Sequence, residues 1–103
     1  MSPKIYHYII EVLPKAGSDK SYEFGGAYVN CWVKGEDVRE VLKRIDFILR
    51  NESWIIKEIR KQEIIDIHTH VYSEDSLEYI QQAEVDGESF LVNTWPLKIQ
   101  NEE

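Results

Sequence analysis

His68 and His70 stand one residue apart in the run Asp66-Ile67-His68-Thr69-His70, with Glu74 and Asp75 close behind. On an extended strand, side chains at i and i+2 point to the same side. Two imidazoles so placed can chelate one cation, and Asp66, which shares their parity, can add an oxygen. The chemistry implied is a small metal site. His-x-His pairs also occur in metal-dependent hydrolases, so a hydrolase-like enzyme using Asp66, His68 and His70 is the matching alternative. Two points weigh against it. Zinc sites take three or four protein ligands, and the barrel behind most such hydrolases is far larger than 103 residues. A half-buried strand explains the same pattern more simply. Ile65, Ile67, Thr69 and Val71 would face the core and Asp66, His68 and His70 would face water. The histidines could also sense pH, because neighbouring carboxylates favour the charged imidazole. No cofactor is expected.

No nucleophile stands out. Cys31 alternates with Val29 and Val33, which makes it a buried structural thiol. It is the chain's one cysteine, so neither an intramolecular disulfide nor a cysteine-rich zinc site can form. No serine sits in a nucleophile elbow, and Gly25-Gly26 is too short for a phosphate loop. The reading is that the chain is not an enzyme.

A different pattern draws more attention. Asn30-Cys31-Trp32 is echoed by Asn93-Thr94-Trp95. In a strand, Asn and Trp of each triplet share a face, so Tyr28, Asn30 and Trp32 oppose Ala27, Val29, Cys31 and Val33. Leu91, Asn93 and Trp95 likewise oppose Phe90 and Val92. The first strand is apolar on both sides, with Ile5 and Ile9 on one and Tyr6, Tyr8, Ile10 and Val12 on the other. If Val29 and Phe90 face the helices, an aromatic face points away from them. Large apolar patches rimmed by amides are the signature of an interaction surface. Tyr28, Asn30, Trp32, Asn93 and Trp95 are therefore the candidate partner-binding residues. The partner is another protein or a second copy of the chain, two faces stacking as a homodimer. The competing reading covers the second face with the Trp54–Tyr72 segment or the loops.

The elements that position these residues follow from periodicity. Ile5–Leu13 and Ala27–Lys34 read as strands. Asp37–Arg50 reads as a helix, with Val38, Val41, Leu42, Ile45, Ile48 and Leu49 at helical spacing and Asp37 and Glu40 at capping-box spacing. Trp54–Tyr72 is strand-like but too long for one strand, which predicts a break or bulge near Lys61-Gln62. Ser73 or Asp75 caps a short helix carrying Leu77, Ile80 and Ala83, stopped at Asp86-Gly87. Glu88–Trp95 is the last strand, limited by Pro96. The order β-β-α-β-(β)-α-β leaves few connections long enough for parallel crossovers. The expected fold is a single α+β domain spanning 1–103. It is a two-layer sandwich of a mostly antiparallel, four- to five-stranded sheet with both helices on one face, related to a ferredoxin-like plait.

Composition narrows the partners. The net charge is −7, which repels phosphate backbones and suits a basic protein partner. Single-stranded RNA stacking on the aromatic sheet is disfavoured on the same ground, since no basic-aromatic RNA motif accompanies it. Three Trp, six Tyr and three Phe argue for a packed core over disorder. No signal-type apolar core follows Met-Ser-Pro-Lys, because His7 and Glu11 interrupt Ile5–Leu13, and no run reaches transmembrane length. Neither nucleic acid nor membrane is expected as a partner, and a reducing cytoplasm is the expected compartment.

The pattern GGAYVNCWVKG, a helix with a tryptophan after it, and YIQQAEVDGESFLVNTWP resembles a family of small uncharacterised bacterial α/β proteins. The resemblance covers Gly25 to Pro96. Its motifs look structural and bring no catalytic residue with them. Small acidic proteins of this kind include toxin-neutralising immunity proteins, so the resemblance implies an immunity-like role.

Overall fold

A computed structural model describes residues 4–65 and 74–97 of the chain. Two long strands, β1 (Lys4–Pro14) and β2 (Phe24–Gly35), pair antiparallel through the turn that holds Gly17 and a short 3₁₀ segment, Asp19–Tyr22. Helix α1 (Val38–Asn51) follows, then β3 (Trp54–Ile65), helix α2 (Glu74–Asp86) and β4 (Glu88–Pro96). The strands lie in the order β3-β1-β2-β4, and every pairing is antiparallel. Among the described residues no helix is long and apolar enough to cross a membrane.

α1 starts where the sequence places it. The Asp37 side chain accepts the Arg39 amide at 2.9 Å, two residues on rather than three. The helix lays Val41, Ile45 and Leu49 onto Tyr6, Tyr8, Ile10, Val12, Ala27, Val29, Cys31 and Val33. All these strand residues share one parity, so they form one face of the sheet, the first face. Arg44, which helical periodicity assigns to water, instead ties α1 to the far end of β2. Its guanidinium donates to the Lys34 carbonyl at 2.8 Å and pairs with Glu88 at 3.0 Å.

α2 does not join α1. Ile80, Ala83 and Tyr79 pack on Ile5, Trp32, Ile65 and Leu91, which have the opposite parity and lie on the second face. The expectation of two layers with both helices on one face is thereby corrected: the sheet lies between α1 and α2. The cause is visible in β1 and β2, which carry large apolar groups on both sides and need cover on both. The element order gives no support to a relation with a ferredoxin-like plait. That plait runs β-α-β-β-α-β, whereas this chain opens with a β1–β2 hairpin and has no parallel pair among its described strands.

β3 is described over Trp54–Ile65, and the rest of the long segment expected from the sequence, Asp66–Tyr72, lies outside the described residues. The irregularity expected near Lys61-Gln62 is present as a bulge at Arg60, next to Lys61, and a second bulge lies at Lys57. The β1–β3 register shifts between Ile9 and Ile10 and again between Glu11 and Val12. Each shift leaves one β3 residue without an opposite partner. The two unmatched residues are Arg60 and Lys57, and both turn out to serve the second face.

Candidate interaction surface

The second face divides into two halves. In the covered half, three rings form a stack. Trp32 lies 4.9 Å from Tyr79 of α2, with planes 12° apart, and 4.9 Å from His7 of β1, with planes 8° apart. Trp32 is only 4% exposed. α2 is held there by three further contacts. The Ser89 hydroxyl donates to the Tyr79 carbonyl at 2.6 Å, the Lys34 ammonium to the Glu84 carbonyl at 3.2 Å, and the Lys34 amide to the Gly87 carbonyl at 2.8 Å. Gly87, at φ 92°, ends the helix in the left-handed region that glycine adopts without strain.

His7 is 8% exposed, and both ring nitrogens are engaged. Nδ1 lies 3.2 Å from Glu63 Oε2, and Nε2 lies 3.1 Å from the Asn30 side-chain amide. Two rungs along, Glu11 is 6% exposed on the same face. Arg60 Nε donates to its Oε1 at 3.1 Å, and Lys57 Nζ donates to Oε2 at 3.3 Å. The Arg60 hydrogen bonds, with Lys57 adding to them, hold this carboxyl below the usual carboxylate range, against the opposing effect of burial. The two bulges of β3 therefore have a specific result. The residues they insert, Arg60 and Lys57, are the pair of cations that neutralise the one acid in the middle of β1.

The open half begins where α2 ends. Tyr28 and Trp95 form a tilted pair with centroids 5.0 Å apart and planes 52° from parallel. Tyr28 is 40% exposed, Asn93 is exposed and Trp95 is half-buried. The indole of Trp95 rests on backbone. A Cβ at Gly25 would come 2.9 Å from Trp95 Nε1, and one at Gly26 would run into the six-membered ring. Gly25-Gly26 is thus the seat that lets an indole lie flat on the sheet, rather than only a bend.

Comparison with family models, curated proteins and solved structures finds no significant match.

The candidate residues therefore separate. Tyr28, Asn93 and Trp95 lie together on the open half. Asn30 is on the same face, but its side-chain oxygen is engaged with His7 Nε2. Trp32 is a correction. It is sheltered by the chain's own α2, because helix and strand meet through the Trp32–Tyr79 stack, and it offers no contact area. Asp66, His68 and His70 lie outside the described residues. Among the described residues, no group of three His, Cys, Asp or Glu side chains converges as a metal site would require. His7, Glu11 and Glu63 carry no motif that marks them as site residues in the sequence. One signal pointed to the first two: they interrupt an otherwise apolar strand at positions of the same parity, as a polar seam on one face would.

Proposed function

We propose that the chain is a non-enzymatic protein-interaction module that holds a basic partner protein against the open half of its second face. One observation carries the reading. Tyr28, Asn93 and Trp95 stand at the surface as an aromatic pair with an amide beside it, on the half of the face that α2 leaves uncovered. Tyrosine and tryptophan supply rigid contact area with a polar tip, the composition of interface centres. The partner's charge follows from the −7 of the whole chain, which speeds encounter with a cationic surface and disfavours acidic ones. The immunity-like role implied by the resemblance to small uncharacterised bacterial proteins is compatible with this picture. On that view the partner is a basic toxin whose working surface is masked in the cytoplasm.

The test uses the full chain and its Tyr28→Ser/Asn93→Lys variant, with far-UV circular dichroism to confirm that both fold. A partner enriched by the wild type is purified and titrated against both. The expected result is a basic protein whose affinity for the variant is lower by about tenfold or more, the scale of losing one hot spot. Its affinity for the wild type should fall with added salt. Equal affinity for the two chains would overturn the reading.

A further inference from the structure

The two edges of the sheet are built differently. β3, at one edge, carries Lys57, Glu58, Arg60, Lys61 and Glu63 and two bulges. These are the devices by which edge strands resist pairing with another chain. β4, at the other edge, has no charged side chain from Ser89 to Trp95, and its pairing with β2 is regular from Glu88 through Trp95.

The direction of its free backbone groups can be read from the ladder. The Lys34 amide donates to the Gly87 carbonyl, so these two form a hydrogen-bonded pair. In an antiparallel ladder such pairs recur at every second residue. Trp32–Ser89, Asn30–Leu91 and Tyr28–Asn93 are then the bonded pairs. The N–H and C=O groups of Phe90, Val92 and Thr94 point away from β2, on a side where no further strand lies among the described residues. Pro96 has the same outward parity, so its missing donor costs the ladder nothing. Beside this edge, on the first face, an apolar groove of about 400 Å³ is lined chiefly by Phe24, Ile48, Trp54, Phe90 and Val92. Val92 is 42% exposed at its margin.

We propose that the β4 edge pairs with the β4 edge of a second copy of this chain, antiparallel across a two-fold axis. The occupant is argued from charge. With a net charge of −7, two copies repel one another at long range, a repulsion that salt screens, so a contact between them must add no close pair of like charges. The strip from Ser89 to Trp95 meets that condition when it faces itself. In the register centred on Val92, the backbone groups of Val92 bond to those of Val92 in the second copy, and Phe90 bonds to Thr94. Leu91 then lies opposite Asn93, and Ser89 opposite Trp95. Val92 loses its exposure to its own counterpart, and four strands from each copy form one continuous sheet. The pairing goes beyond the partner-binding reading. It uses an edge where that reading uses a face, and it sets the two Tyr28–Trp95 patches on the same side of the joined sheet.

Sedimentation equilibrium of the full chain, from micromolar to millimolar concentration, tests it alongside three variants. Val92→Pro removes one outward N–H and leaves the β2 ladder intact. Thr94→Lys adds a charge to the edge. Tyr28→Ser alters only the open face. Wild type and Tyr28→Ser should reach twice the 12.2 kDa chain mass, while Val92→Pro and Thr94→Lys should stay at the single mass with unchanged circular dichroism. Should Val92→Pro lose its fold, Thr94→Lys decides. A wild-type chain that remains at the single mass throughout, or a folded Thr94→Lys that keeps the doubled mass, overturns the proposal. Neither outcome bears on the face, which stands or falls on partner affinity.

Discussion

The indole of Trp32 lies flat against the ring of Tyr79, 4.9 Å between centroids and 12° from parallel, and this contact fastens α2 to the sheet. On its other side the same indole covers His7. Trp32 is thus the centre of the smaller core cluster, with Ile5, Ile65, Ile80 and Ala83 around it. Trp32→Ala should cost about 3–5 kcal/mol, as expected when a buried aromatic is truncated, and should expose His7. Urea denaturation followed by circular dichroism measures it. A loss below about 1 kcal/mol would mean that α2 does not depend on the stack.

Trp95 makes the opposite arrangement, with an indole held by what its neighbours lack. A side chain at Gly26 would meet both the Trp95 ring and the Val12 carbonyl oxygen, the latter at 3.0 Å. Gly26→Ala should therefore destabilise the chain by about 1–3 kcal/mol, the range for overpacked sites. The Trp95 indole should also lift into water, shifting tryptophan emission to the red. An unshifted spectrum with unchanged stability would show that the seat is not needed.

These two tryptophans also show what the sequence could reveal. Alternation placed both on the second face, and helical spacing identified α1 from Val41, Ile45 and Leu49. Alternation says that a sheet has two dry faces, but not which helix covers which. The stripe on α2 is weak, and Leu77, counted in it, is largely exposed. The Glu11 cluster was out of reach for a different reason. It depends on the β1–β3 register, and two bulges shift that register so that Arg60 and Lys57 meet a residue many positions away. Cross-strand partners set by bulges leave no periodic trace in one chain. A glycine pair such as Gly25-Gly26 usually marks a turn, whereas here the missing side chains make room for a distant ring.

Tyr8 contains a polar group that no described residue satisfies. The residue is fully buried under α1, and its hydroxyl has no hydrogen-bond partner among the described residues. Burial also pushes its ionisation above the ordinary tyrosine value. An unpaired buried donor costs about 1–3 kcal/mol. Tyr8→Phe keeps the ring and removes that cost, so its stability should equal or exceed the wild type's by up to about 1 kcal/mol. A clear loss in the denaturation midpoint would contradict this.

Cys31 should be chemically silent in the native state. It is fully buried among Tyr8, Val29 and Val33, and desolvation drives its thiol far above the ordinary range. Only the thiolate reacts, so both access and ionisation are suppressed. A chromogenic disulfide reagent should label the chain no faster than it unfolds and should label it fully in denaturant. Labelling of the native chain at the rate of a free thiol would mean that β2 opens locally.

The last prediction concerns acid. Glu11 titrates lower in the folded chain than in the unfolded one, because Arg60 and then Lys57 stabilise its charged form. A depressed carboxyl stabilises the fold at any pH above its unfolded value, near 4.3. That contribution fades as pH falls through the lower, folded value, since the unfolded chain takes up the proton first. Melting temperature measured against pH should therefore fall in acid for the wild type. Glu11→Gln should lie below it at neutral pH, because Arg60 and Lys57 lose their carboxylate, and should show a shallower acid slope. The two curves should approach one another as pH falls past the lower, folded value, where Glu11 is protonated in both states of the wild type. Arg60 and Lys57 are each about half exposed, so added salt should narrow the neutral-pH gap. Parallel curves across the whole acid range would show that Glu11 does not feel the two cations that β3 bends to supply.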